Sequence, residues 1–152
     1  MNTATQQPVA IACLFTWIGF VCAISFMEAW LKFRAPGVTI PIGLGIGKLV
    51  FGALNKVEWV LAIVVVVSAA LYNKRITTVP NISLLIVIVI LVVQTAWLLP
   101  TLQARADLHI QHKPADQSNL HNMFVGAEFI KVFVLFITAF SLFKQPSRKQ
   151  IF

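Results

Sequence analysis

A chain of 152 residues that is 59% hydrophobic and only 11% charged has too little charge to cover a soluble surface, where about a quarter of residues are charged. Its length suits a single domain. A net charge of +7 would raise nucleic acid as a partner, but the basic residues gather at the ends of apolar runs, as Lys74, Arg75, Lys144, Arg148 and Lys149 do. That is the distribution of cations beside a bilayer, and nucleic acid is excluded.

Four apolar segments follow one another and predict an all-α, polytopic membrane protein, a four-transmembrane-helix bundle. The first covers about 9–33. Pro8 suits a first helical turn, where its missing N–H costs nothing, and Arg34-Ala35-Pro36-Gly37 ends the run. The opening residues MNTATQQP lack a basic n-region, and no small-x-small site follows. The segment is therefore expected to stay as a membrane helix rather than be cleaved. Cys13 and Cys22 both fall in it. Nine residues apart on one helix, they are about 13 Å apart along the axis, too far for a disulfide, and read as small buried hydrophobes.

The second span covers about 46–72. The glycine-rich IPIGLGIGK before it is open to three readings: interfacial, re-entrant, or a helical extension beyond the bilayer. The third span covers about 82–104, with Pro100 as a candidate kink and a continuation to Ala106 allowed. The fourth covers about 119–143, with Ser118 and Asn119 as candidate N-caps. Each run reaches the ~20 residues that a spanning helix requires.

An even number of spans puts both termini on one side. Lys/Arg counting between the sides is nearly a tie. The termini are assigned to the cytoplasm of a bacterial inner membrane because Lys32, Lys48 and Arg105 on the other side read as held by polar partners.

The polar residues inside the spans agree in depth. At 1.5 Å per residue, Glu28 lies about 30 Å from Pro8, Glu58 about 22 Å from Asn73 and Gln94 about 20 Å from Asn81. Glu128 and Lys131 lie about 24 and 20 Å from Lys144. All four helices thus carry polar groups in the half opposite the termini. The faces agree as well. Cys22, Ser25, Glu28 and Lys32 share a helical stripe, as do Gly45, Lys48, Gly52, Asn55 and Glu58. Gln94, Leu98, Thr101 and Arg105 form a third, and His121, Val125, Glu128 and Lys131 a fourth. Glycines on the second stripe would let helices approach closely. The expected ligand-binding set is Glu28, Lys32, Asn55, Lys56, Glu58, Gln94, Arg105, His121, Glu128 and Lys131. An unpaired charge at the bilayer centre costs about 2.5–3.5 kcal/mol on insertion scales, so ion pairs that merely hold the bundle together are a competing reading.

Several chemistries could occupy such a layer. Glu58, Glu128 and His121 are the candidate metal ligands, with Glu28 near them; the Glu-x-x-His signature of di-iron bundles is absent. Cys22, Met27, His121 and Met123 would be the soft set for copper. His109, His112 and His121 lie on one side and none sits mid-membrane, so haem has no obvious ligand pair. The cofactor stays open. An enzyme would use a glutamate as general base and Lys or Arg to hold an anionic, lipid- or quinone-like amphiphile. No Ser–His–Asp order, phosphate loop or HExxH accompanies that reading. Binding or transport of a small ligand, lipid or ion is the leading function, with the membrane enzyme and the structural subunit as alternatives. Four helices are few for a carrier, and a homo-oligomer would supply more. Trp17 and Trp59 would line an apolar pocket. Trp30 and Trp97 could join them or anchor at the interface.

The words FMEAWLKFRAP (26–36) and KLVF (48–51), then Pro100 and LHN (120–122), come in an order that resembles the CopD-like group of small four-helix membrane proteins. The resemblance implies a short bundle. Some members of that group are linked to copper uptake or metal-drug resistance. It would emphasise His121 and the Ala35–Pro36 corner. The Met-x-x-Met and His-rich patterns of a copper carrier are missing here.

Overall fold

The computed structural model describes residues 7–72, 79–111, 113 and 119–143. Within them the chain forms four long helices and no strand. Helix α1 spans Pro8–Arg34, α2 Ile40–Tyr72, α3 Val79–Ile110 and α4 Leu120–Phe143. All four are long and apolar enough to cross a bilayer. The basic groups Lys74, Arg75, Lys144, Arg148 and Lys149, together with His112, Asp116 and Ser118, lie outside the described residues.

Local chemistry sets the ends. Pro8 occupies the first turn of α1, and the Ile11 amide donates to the Gln7 carbonyl at 3.1 Å. At its far end α1 tightens into a 3-10 turn over Lys32–Arg34. Ala35 is then extended, with ψ 135°, as a residue before proline must be. Gly37 turns the chain with φ +82°, a conformation that glycine adopts at no steric cost. Helix α2 starts at Ile40, so the glycine-rich stretch is a continuous extension of that helix. Helix α3 runs on to Ile110, beyond the expected 104, because no breaker follows Pro100.

The helices form a ring in which each packs on its chain neighbours and α1 closes on α4. The half of the bundle nearer the termini is a mainly apolar core. Leu14, Val65, Val87, Leu91, Leu135 and Ala139 are all buried there. Large apolar side chains such as Val60, Leu71, Leu85 and Phe133 point outward and stay exposed. Helices satisfy their own backbone groups in hydrocarbon, where water is absent. An apolar exterior on such helices makes the chain an integral membrane protein in contact with lipid.

Two wide turns interrupt the regular pattern. Residues Cys22–Glu28 of α1 and Gln94–Leu98 of α3 are π-helical. At 1.5 Å per residue, both begin about 21–22 Å from the start of their helix. Pro100 follows the second one and cannot bond to the carbonyl four residues before it. Helix α3 changes neighbours here. Its first half packs mainly on α4, its second half on α2. The far end of the bundle consequently opens.

Candidate functional site

The charged layer resolves into two parts, a sealed cluster and an open cleft beyond it. The cluster is centred on Lys131, which is fully buried on α4. Its ammonium lies 2.5 Å from Glu58 Oε1 and 3.0 Å from Glu128 Oε1. It also donates to Gln94 Oε1 at 2.7 Å. Gln94 Nε2 donates to Glu128 Oε1 at 2.8 Å. From α1 the Trp17 indole N–H donates to Glu58 Oε1 at 2.8 Å. One residue from each of α1, α2 and α3 thus meets two from α4. Two carboxylates share one ammonium, and Glu128 Oε2 is buried with no hydrogen-bond partner.

A second, smaller node joins α2 to α3. Thr95 Oγ1 accepts from Asn55 Nδ2 at 2.8 Å and from Trp59 Nε1 at 3.0 Å, and donates to the Leu91 carbonyl at 2.7 Å. Toward the loops, Val21, Leu54, Leu98 and Phe124 are all buried. Each is one helical turn from a cluster residue, on the side away from the termini. This apolar layer separates the cluster from the cleft.

The cleft has a volume of about 180 Å³ and is lined by all four helices. Drug-sized pockets run to roughly 300–1,000 Å³, so there is room for a headgroup or a small ring, not a whole lipid. Its walls carry Ser25, Lys32 and Phe33 from α1, Gly43, Gly47, Lys48 and Phe51 from α2, Leu102 and Gln103 from α3, and His121 and Phe124 from α4. Lys32 pairs with Glu28 at 3.2 Å and lies over the rings of Phe33 and Phe51, 5.5 and 5.6 Å from their centroids. Such contacts stabilise a cation. Lys48 reaches across to Asp107, 2.6 and 2.8 Å from its two oxygens. The Ser25 hydroxyl is buried without a partner, as is Glu28 Oε1. Phe33 packs so closely on Gly43 that a Cβ there would sit 2.2 Å from the ring. At Gly47 a Cβ would sit 2.8 Å from the Lys32 ammonium. Close approach falls at these two glycines, while Gly45 has nothing near it.

The residues expected to form one ligand set separate accordingly. Glu58, Gln94, Glu128 and Lys131 come together in the cluster. Glu28, Lys32 and His121 go with the cleft, where His121 is an exposed wall residue. Asn55 belongs to the Thr95 node. Arg105 is half-buried on the cleft end of α3 and makes its own interactions. Lys56 is exposed on the outer face of α2 and joins neither part. It lies two residues from Glu58, hence about 200° round the helix. Among the described residues no three His, Cys, Asp or Glu side chains gather as a metal would need, so Glu58 and Glu128 meet without His121. Both cysteines are free thiols. Trp30 and Trp97 are about half exposed on the outside, as interfacial anchors are.

Trp17 and Trp59, expected to line an apolar pocket, instead donate to Glu58 and Thr95; sequence reasoning missed Thr95 and the Lys48–Asp107 pair. Trp17 carried a signal, since a tryptophan deep in a span needs an acceptor for its indole N–H.

Fold and site together define an integral membrane four-helix bundle with a buried charge cluster below a lysine-lined cleft. Compared with protein-family models, with curated proteins and with solved structures, the chain matches none.

Proposed function

We propose that the protein binds the anionic headgroup of a small amphiphile in the cleft between its four helices. The observation that carries this reading is the character of the walls. Both charged residues on the cleft wall itself are lysines, paired with Glu28 and Asp107, beside a buried, unpartnered Ser25 hydroxyl and the rings of Phe33, Phe51 and Phe124. Lysine donors and a hydroxyl suit phosphate or carboxylate oxygens, and the aromatic rings suit the first carbons of a chain. Depth supports it too. About 20 residues cross the ~30 Å hydrocarbon core. Counted from Tyr72 or Val79, that distance is used up near Gly52 and Leu98, so the cleft lies at headgroup level.

The host we propose is a bacterial inner membrane, with both termini in the cytoplasm. The pairing of Lys32 and Lys48 with acids supports this orientation, because paired lysines weigh less against the positive-inside rule. Kinship with the CopD-like group is likewise a proposal. The positions it emphasises fit the same region: His121 lines the cleft, and the Ala35–Pro36 corner lies between the wall residues Phe33 and Gly43.

Native mass spectrometry of the detergent-solubilised chain tests the reading with dodecyl phosphate, dodecyl maltoside and dodecyltrimethylammonium. The phosphate is expected to bind saturably with one molecule per chain. Lys32→Met or Lys48→Met should weaken it by about ten- to a hundredfold, since a hydrogen bond to a charged group contributes about 1.5–3 kcal/mol. Equal retention of the cationic and anionic amphiphiles would overturn the proposal.

A further inference from the structure

We propose that the Glu58–Lys131–Glu128 cluster is a proton-binding site, holding one exchangeable proton on its carboxyl pair. Two carboxylates and one ammonium leave the cluster one negative charge in excess if every group is ionised. All three side chains are at most 3% exposed, and burying a net charge in apolar surroundings costs far more than neutralising it. The geometry supplies a place for the neutralising proton. Glu58 Oε1 already accepts from Lys131 and Trp17, and Gln94 Oε1 from Lys131. Glu128 Oε1 accepts from both Lys131 and Gln94. Glu128 Oε2 has no partner. A hard metal ion would need about six oxygen ligands, and this one oxygen does not provide them. A proton needs one lone pair.

The groups that face Glu128 are few. Among the described residues they are the Cys22 thiol from α1, Glu58 from α2, Gln94 from α3 and Lys131 from its own helix, while Trp17 from α1 faces Glu58. Lys131 is the cluster's cation, and the proton belongs to the interacting pair rather than to one residue. It is taken from solvent and returned to it, with no bond formed other than O–H. The buried layer of Val21, Leu54, Leu98 and Phe124 stands between the site and the cleft, so exchange is slow compared with surface carboxyls. This inference rests on the cluster alone and is independent of what occupies the cleft.

Infrared difference spectroscopy of the full chain in lipid nanodiscs reads the proton directly. At neutral pH the wild type should show the C=O stretch of one protonated carboxyl per chain, and the band should move in heavy water. Glu58→Gln and Glu128→Gln should each abolish it, because each leaves one anion against one cation. Lys131→Met should instead raise it to two carboxyls per chain. A wild-type spectrum without the band overturns the proposal, whatever the variants do. So does a band that survives unchanged in both glutamine variants. A band that grows when sodium and potassium are replaced by choline would assign the site to an alkali cation and overturn it as well.

Discussion

Lys131→Met removes the one cation that joins three helices, and its cost can be worked from the contacts. Methionine keeps nearly the same length and volume, so packing is preserved. What is lost is the ammonium's reach to Glu58, Glu128 and Gln94 at 2.5, 3.0 and 2.7 Å. If these were three ordinary hydrogen bonds in lipid, two of them between helices, at about 0.6 kcal/mol each, the loss would stay under ~2 kcal/mol. Removing one partner of a buried ion pair instead costs about 3–5 kcal/mol, because the carboxylate left behind must either stay uncompensated or take up a proton at neutral pH, where carboxyls are ordinarily ionised. The larger figure is expected here. The triple variant Glu58→Gln, Glu128→Gln, Lys131→Met should recover most of it, since all the charge is then gone. Trp17 and Gln94 would keep amide acceptors within reach. Reversible unfolding in mixed micelles, followed by tryptophan fluorescence, measures both. A Lys131→Met loss below ~2 kcal/mol, or a triple variant no better than the single one, would refute the view that loss of the counter-charge dominates this layer.

Other outcomes follow from single contacts. Thr95→Val removes the acceptor shared by Asn55 and Trp59 and should cost about 1 kcal/mol for each half-buried donor left unpaired; the same micelle unfolding assay checks it. Trp17→Phe takes one donor from Glu58 and should destabilise by ~1–3 kcal/mol, leaving the spectrum of the other tryptophans in place. The Lys48–Asp107 pair is 36% and 43% exposed, so Asp107→Asn should change stability by no more than about 1 kcal/mol. It should nevertheless strengthen binding of dodecyl phosphate, by freeing the lysine. Gly43→Ala forces the Phe33 ring aside. Because that ring is 40% exposed, the bundle should melt within about 1 kcal/mol of wild type while binding in the cleft falls, as calorimetry with the same amphiphile would show.

The depth of the charged layer was legible because rise per residue is nearly constant in a helix. Gln94, Glu58, Glu128 and Lys131 meet where that arithmetic puts them. The division into cluster and cleft was not legible, and the π-helical turns are the reason. A stripe read at 3.6 residues per turn assumes unbroken phase. Glu28 and Lys32 lie at the end of one wide turn and beyond it, and Arg105 lies beyond the other. Their faces are therefore displaced from those of Trp17 and Gln94. Lys56 was grouped with Glu58 by proximity in sequence, although phase places it outside. Thr95 escaped notice because it neighbours Gln94 rather than sharing its stripe. Lys48 and Asp107, 59 residues apart, are brought together by the change of partner along α3, which no local pattern encodes.

Each wide turn amounts to one additional residue inserted into an otherwise regular helix. The two insertions lie on helices that are not neighbours in the ring, at one height. Deleting one residue from each would restore an unbroken winding and rotate everything beyond by about 100°. Lys32, Phe33, Leu102 and Gln103 would turn off the walls they now form, while Trp17 and the residues below Gln94 stayed where they are. The opening at this end of the molecule is thus a matter of residue count as well as of side-chain size. Two single-codon deletions would close it.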